Sequence, residues 1–334
     1  MLNAAAALVP VVGFLATLFF MDSFKLVPPR WIVFALAAGA GAALASYAVW
    51  PALLLSGLSD DAAVRYLAPC VEESLKASVV VLLLLTGRAG FLVDAALLGF
   101  GIGAGFALAE NALYLTELSH ASFALWLVRG FGTAMLHGGT TSIFAILARV
   151  LADRYPSRPY AVFLPPLVPA IAIHSAFNHL PLPPAALTGV ILIVLPLLLV
   201  VVFDRGERAT REWMGAGMDL DIEVLQLVAS EHFGLTRFGQ YLQELRSRFP
   251  AIVVANMYCL LRLELELSVQ ARAFVMARDA GLELRADEDL AASLAEHDYL
   301  QQSIGRTGLL ALRPLQVTNV RDRFHRHVLR RSRR

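Results

Sequence analysis

Charged residues are scarce in the first part of this sequence. Lys, Arg, Asp and Glu make up 16% of the 334 residues, and most of them follow residue 204. A soluble globular domain has about a quarter charged residues, so a long stretch with so few is not expected of one. Residues 1–204 are therefore predicted to form an integral membrane domain, and residues 205–334 a separate soluble region.

Cysteine is nearly absent, which excludes a fold held together by disulfides. The two cysteines, Cys70 and Cys259, lie in different predicted regions, so a bond between them is not expected. The N-terminal run MLNAAAALVPVVGFLATLFF lacks the basic residues that open a cleavable signal peptide. This run is therefore predicted to be the first membrane span.

Apolar stretches follow one another through the predicted membrane domain. A bilayer span needs about 20 predominantly apolar residues, and seven stretches meet this length or come close to it. The fold class predicted is all-α, a polytopic bundle of about seven transmembrane helices. The fifth span is long enough to be tilted, or broken near Gly138 and Gly139. The predicted spans are residues 3–20, 31–55, 66–86, 91–115, 121–150, 160–179 and 185–203.

Basic residues are concentrated in alternate loops, whereas the loops between them are nearly free of Lys and Arg. Cytoplasmic loops are the ones enriched in Lys and Arg, so the pattern predicts an outside N-terminus and a cytoplasmic C-terminal region. The basic residues of these loops are Lys25, Arg30, Arg88, Arg149, Arg154, Arg158, Arg205, Arg208 and Arg211.

Glycine recurs along the fourth span, in GFGIGAGFALAE. Small residues at four-residue spacing let helices approach closely in a membrane. No strand is predicted before this run, so it favours helix packing over a nucleotide-binding loop. The fourth span is therefore predicted to lie where neighbouring helices pack closely against it.

Ionisable and amide side chains occur on four successive spans, although a charge at the bilayer centre costs about 2.5–3.5 kcal/mol on insertion scales. Lys76 follows Glu72 by four residues and Glu73 by three, so it can neutralise one of them along the helix. A structural ion pair would explain the third span alone. Recurrence on four spans predicts one polar cluster in the outer half of the bilayer. Its members are Glu72, Glu73, Lys76, Glu110, Asn111, Arg129, His137, His174 and Asn178.

The order of these motifs resembles the PrsW family of intramembrane proteases, which is related to the Rce1-like CAAX-processing enzymes and bacterial CPBP proteases. The resemblance covers roughly residues 60–180 and is carried by EESLK (72–76), FALAE with Asn111 (106–111), HGGTTS (137–142) and HSAFN (174–178). It implies an endopeptidase of the bacterial cytoplasmic membrane that cleaves a membrane-anchored protein substrate. A single-span anti-sigma factor, cut in a site-one step, is the substrate that the resemblance suggests.

The same resemblance assigns roles residue by residue. Glu72 would be the principal general base, with Glu73 beside it, and Glu110 would orient water where the Rce1-like enzymes have histidine. His174 and Asn178 would donate to the substrate oxyanion. The implied catalytic residues are Glu72, Glu73, Glu110, His137, His174 and Asn178, and the supporting residues are Lys76, Phe106, Asn111 and Arg129.

The sequence is compatible with catalysis either with or without a metal ion. Zinc accepts carboxylate and imidazole ligands, and Glu72, Glu110, His137 and His174 qualify by type. However, the HExxH motif is absent and the four residues come from separate spans, so their spacing gives no evidence for an ion. The expectation is catalysis by glutamate without a metal, with zinc as the alternative.

The region after residue 204 reads as a mostly helical cytoplasmic domain. Asp219 and Asp221 are predicted to cap a short helix, and Pro250 to open a long one ending near Gly281. The arginine-rich tail RDRFHRHVLRRSRR either attracts anionic lipid or is a solvated end. No nucleic-acid partner is predicted.

Other functions fit parts of the pattern. Intramembrane acids and histidines also serve proton- or ion-coupled transporters, but the inverted repeat common in transporters is not found between the halves. A seven-span receptor and a catalytically inactive scaffold of the same fold remain as further alternatives.

Overall fold

The computed structural model is helical throughout. It describes residues 1–22, 26–54, 57, 59–118, 120–155, 160–179, 183–280, 282, 288–315 and 329. Within these ranges there are eleven α-helices and no strand. The helices are α1 (Leu2–Met21), α2 (Pro29–Leu54), α3 (Asp60–Ala62), α4 (Ala68–Leu85), α5 (Leu92–Glu117), α6 (Phe123–Arg154), α7 (Leu164–Asn178), α8 (Pro184–Ala229), α9 (Arg237–Leu245), α10 (Ala251–Asp279) and α11 (Glu288–Leu312).

Six stretches of helix in the described part of the chain are long and apolar enough to cross a membrane: α1, α2, α5, α6, α7 with the turn before it, and the first half of α8. The remaining predicted span is α4, an 18-residue helix that includes Glu72, Glu73 and Lys76. The predicted all-α polytopic membrane bundle is confirmed. Helix α6 runs unbroken through Gly138 and Gly139, although a break there was one of two expectations.

The chain divides into two compact units, Met1–Glu207 and Arg208–Arg334. The division falls inside α8, which continues past the predicted end of the last span to Ala229. The predicted cap at Asp219 and Asp221 is therefore wrong, because both residues lie within a helix. Lys25 and Arg158, two of the residues behind the orientation prediction, fall outside the described residues, as does the arginine-rich tail of the lipid prediction apart from Leu329.

The second unit is built around its own apolar core. Side chains of α9, α10 and α11 form this core, with Met257, Leu260 and Leu312 fully buried in it. Asp221 accepts a hydrogen bond from the buried guanidinium of Arg272, which gives that carboxylate a structural partner in place of a helix cap. Gly305 has φ 69° and ψ 171°, so α11 consists of two helices joined at this residue.

Helices α5 and α6 lie at the centre of the first unit. Of the most apolar stretch of each helix, 83% of the residues are buried in α5 and 72% in α6, against 28% or fewer in α1, α2, α7 and α8. The two central helices approach closely because glycine removes the side chain at their crossing. A Cβ built on Gly103 would lie 2.0 Å from the carbonyl oxygen of His137.

This contact predicts that Gly103→Ala lowers the stability of the protein. The new methyl group must push α5 away from α6, and overpacking of this kind costs about 1–3 kcal/mol. The measurement is the thermal unfolding temperature of the purified protein in detergent. Gly41→Ala on α2 is the matched control, because a Cβ there meets no described residue within 4 Å. Equal unfolding temperatures for the two variants would contradict the packing argument.

Candidate active site

A buried ion pair joins two side chains of α4. Lys76 and Glu73 stand one helical turn apart, and the ammonium nitrogen lies 2.6 Å from Oε1 of the carboxylate. The side chains are 0% and 1% exposed, so water solvates neither charge. Two further groups donate to the same oxygen: Nδ1 of His174 at 2.7 Å and Oγ1 of Thr140 at 3.3 Å. Oε1 of Glu73 is thus engaged by residues of α4, α6 and α7.

Lys76 also fixes the state of a histidine on α6. Its ammonium nitrogen lies 3.1 Å from Nδ1 of His137. An ammonium group can only donate, so Nδ1 accepts and the proton of a neutral imidazole is on Nε2. Nε2 of His137 then donates to Oε2 of Glu110 on α5, at 3.1 Å. Both ring nitrogens of His137 are therefore occupied.

Glu72 differs sharply from its neighbour. Its Oε2 is buried yet receives no hydrogen bond from any described residue. The nearest basic group is Nε2 of His174, at 3.8 Å. Nδ1 of His174 donates to Glu73, so in a neutral imidazole Nε2 carries the lone pair. In that form two basic atoms without a donor face each other.

Glu72 and His174 open onto a cavity of about 600 Å³ within the first unit. The cavity has room for a stretch of peptide together with water. Its walls combine carboxylates, imidazoles and aromatic rings with apolar side chains. The polar and aromatic lining residues include Tyr47, Trp50, Glu72, Phe106, Glu110, Tyr114, Glu117, Arg129, His137, His174 and Asn178.

The last turn of α7 is hydrogen-bonded to the segment that precedes α4. Residues Ala63–Leu67 form a π-helix immediately before α4, and a π-helix alters the backbone hydrogen-bond pattern. Ser175 donates through Oγ to the carbonyl of Arg65 at 2.6 Å, and Asn178 donates through Nδ2 to the carbonyl of Val64 at 3.0 Å. Asn178 lines the cavity, but at least one of its amide hydrogens is directed to the π-helix.

Comparison with known families gives a match over the membrane part of the chain. The family model described as PrsW family intramembrane metalloprotease matches residues 27–203, which is more than half of the chain. The chain belongs to the PrsW family. It is accordingly an integral membrane protein of a family of intramembrane proteases. Comparison with curated proteins and with solved structures found no match. The relationship to the Rce1-like and CPBP enzymes stays a prediction.

This PrsW-family structure brings most of the predicted site residues together. The hydrogen bonds described above connect Glu73, Lys76, Glu110, His137 and His174, and Glu72 lies beside His174. Of the supporting residues, Phe106 lies under the Lys76 ammonium, 4.7 Å from ring centroid to nitrogen. Asn111 instead ties α5 to other helices, donating to the Ala7 carbonyl and to Thr133.

Three contributors were not predicted from the sequence. Thr140 donates to Glu73, Ser175 supports the π-helix, and Thr133 accepts from Asn111. Thr140 lies in the polar run HGGTTS and Ser175 in HSAFN. A hydroxyl group inside a motif was therefore the sequence feature that could have indicated them. Hydroxyl groups are common in membrane helices, and sequence alone does not say which of them face a charge.

The word metalloprotease in the family description raises the question of whether these side chains suit an ion. Glu72, His137 and His174 each offer one ligand atom, and the three atoms lie within 4.8 Å of one another. These donor types fit zinc, and Glu73 on His174 is the kind of partner that orients a ligand imidazole. Glu72 and His174 each have an atom that could bind a metal without breaking a hydrogen bond. His137 would first have to give up its hydrogen bond to Lys76 or to Glu110.

The buried pair predicts the effect of Lys76→Met, which keeps the length of the side chain and removes its charge. Glu73 and Nδ1 of His137 would each lose a buried donor. Removing one partner of a buried ion pair costs about 3–5 kcal/mol. We expect a large fall in thermal unfolding temperature in detergent.

Arg65→Met is the matched control for that measurement. Arg65 pairs with Asp61 at 3.0 Å on the surface, and exposed pairs contribute about 0–1 kcal/mol. An unfolding temperature for Lys76→Met as close to wild type as that of the control would show that the buried pair is not needed for stability.

Proposed function

We propose that this chain is an endopeptidase that cleaves membrane-anchored proteins, with Glu72 as the base that activates water. One observation carries the proposal: Oε2 of Glu72 is buried beside the cavity and receives no hydrogen bond from the described residues. A buried carboxylate oxygen without a donor is costly, and a water molecule between Glu72 and His174 would supply one.

The proposed reaction is the hydrolysis of an amide. Glu72 takes a proton from the water as its oxygen attacks the carbonyl carbon of the substrate. The tetrahedral species then collapses, the C–N bond breaks, and the protonated Glu72 returns that proton to the leaving amine. The products are a carboxylic acid and an amine, and the glutamate is restored. The acid then gives its proton to the amine, leaving a carboxylate and an ammonium group.

The neighbours of Glu72 support this assignment of roles. Glu73 accepts from Lys76, His174 and Thr140, so it is a poor choice for the base and a good one for positioning. In its neutral form His174 presents a lone pair at Nε2, which suits holding the attacking water. This differs from the oxyanion-donor role that the family resemblance implied. Glu110, bonded to His137, would orient the same water from the far wall.

The substrate class follows from the location of the site. The cavity lies among the helices of the membrane unit, so a protein anchored in the same bilayer reaches it most readily. We propose single-span membrane proteins as the substrates, cut in a site-one step. An anti-sigma factor is the specific example that the family resemblance suggests.

A resident zinc ion would be held by Glu72, His137 and His174. When bound there, zinc would acidify its water ligand and polarise the substrate carbonyl. The hydrogen bonds of His137 to Lys76 and Glu110 oppose this arrangement, since an imidazole with both nitrogens bonded has no lone pair to offer. We therefore propose catalysis without a metal.

Chelation tests the metal-free mechanism. Purified enzyme treated with a strong chelator and then freed of it should keep its full rate of reporter cleavage. Loss of activity that zinc restores would overturn this expectation and assign the three ligands. The unfolding temperature measured in parallel separates loss of an ion from loss of the fold.

Glu72→Gln tests the base itself. The amide keeps the size of the side chain but cannot accept the proton, and general bases contribute about 10²- to 10⁴-fold to a rate. We expect cleavage of a purified single-span reporter in proteoliposomes to fall by at least about 100-fold. Glu266→Gln, which removes a surface carboxylate paired with Arg262 in the second unit, is the control and should cleave normally. Full activity of Glu72→Gln in folded protein would refute the mechanism.

A further inference from the structure

Arg129 carries donors for which the described part of the chain provides no acceptor. Its Nε and Nη2 atoms are both buried, and neither makes a hydrogen bond to a described residue. The residue lies on α6, about two turns before His137, and lines the same cavity as Glu72 and His174. Buried polar groups are nearly always hydrogen-bonded, so an unsatisfied pair on a cavity wall needs an explanation.

Two neighbours hold this guanidinium in place without using those donors. Its central carbon lies 3.9 Å from the centroid of the Tyr114 ring, a cation–π contact. Nη2 lies 3.7 Å from Oε2 of Glu110, which is close enough for charge attraction but too long for a hydrogen bond. The group is therefore oriented while its N–H bonds remain available.

The imidazoles and the ammonium of the site direct hydrogen bonds to one another and to the carboxylates. Lys76 donates to Glu73 and His137. Nε2 of His137 donates to Glu110, and Nδ1 of His174 donates to Glu73. Lys76 has a third N–H bond, but the residue is fully buried and is not among the residues that line the cavity. Neutral imidazoles at His137 and His174 cannot donate to a substrate oxygen without breaking these hydrogen bonds.

Three other polar side chains of the wall also donate hydrogen bonds within the protein. Asn178 donates to the Val64 carbonyl, and the hydroxyl of Thr133 donates to the backbone carbonyl of Arg129 itself. The hydroxyl of Tyr47 donates to Glu117 at 3.2 Å. Among these cavity-lining donors, the guanidinium of Arg129 combines full charge with unsatisfied N–H groups.

We propose that Arg129 is a catalytic residue that binds the carbonyl oxygen of the scissile peptide and stabilises the oxyanion formed from it. Nε–H and one N–H of Nη2 form the planar fork that binds two oxygens side by side. The tetrahedral species has two such oxygens, one from the carbonyl and one from the water, and so does the product carboxylate. Arg129 keeps its protons throughout, while the proton from water travels through Glu72 as described above.

The proposal rests on the proposed function, and it makes a kinetic prediction. Arg129→Met in the full-length protein should lower kcat for the single-span reporter by about 10²- to 10³-fold, the usual loss when an oxyanion donor is removed. KM should change little, because the interaction strengthens only as charge develops on the oxygen. Arg129→Lys should recover part of kcat, since it restores the charge but not the fork.

Inhibition by a product peptide distinguishes a catalytic role of Arg129 from a merely structural one. A peptide with the N-terminal product sequence and a free carboxylate should inhibit wild-type enzyme at least about tenfold better than the same peptide amidated, because the fork binds both carboxylate oxygens. Arg129→Met should abolish this preference. Arg154→Met, at the exposed end of the same helix, is the control and should keep both kcat and the preference.

The outcomes separate the two proposals. A wild-type enzyme that cleaves no reporter, or a Glu72→Gln variant that cleaves it as well as wild type, refutes the proposed function. Normal cleavage dependent on Glu72, with kcat and carboxylate preference unchanged in Arg129→Met, refutes only the role of Arg129. If Arg129→Met does not fold, Arg129→Lys decides: wild-type kcat and preference in this variant overturn the proposal, and a kcat below that of wild type with a weakened preference supports it.

Discussion

The ammonium of Lys76 is the charge on which the rest of the site depends. It lies buried between Glu73 and His137, and through them it reaches α7 and α5. A charge without water must find its partners within the protein, so this group sets the positions of two other helices. The same contacts direct the proton of His137 toward Glu110 and leave Glu72 outside the network. One lysine thus separates two adjacent glutamates into a bound one and a free one.

The close packing of α5 against α6 allows the side chains of this network to reach one another. Glycine at the crossing of α5 and α6 brings the backbone of His137 against Gly103, which places the imidazole within reach of both α4 and Glu110. Bulkier residues at this crossing would separate the two walls. Membrane helices lack a hydrophobic driving force for association, so small residues and buried polar contacts together hold such a bundle. Here both occur at the same place.

The sequence predicted the helical membrane bundle and the residues that meet in it, because apolar length and intramembrane charge are strong local signals. It could not predict which glutamate Lys76 would bind, since Glu72 and Glu73 both stand within reach along a helix. Nor did it reveal that Asn178 contacts a backbone carbonyl, because a π-helix has no clear sequence signature. At Asp219 and Asp221 the sequence predicted a feature that is not formed. Both residue types suit a helix cap, yet α8 continues through them.

The π-helix before α4 has a consequence for the identity of the two glutamates. Adjacent residues on an α-helix differ by about 100° in direction, which is the angle between Glu72 and Glu73. A π-helix contains one residue more per turn than the surrounding α-helix would. The π-helix therefore sets the rotation of α4 about its axis. That rotation determines which of the two chemically identical side chains faces the cavity. Ser175 and Asn178 stabilise that setting by binding the carbonyls of Arg65 and Val64.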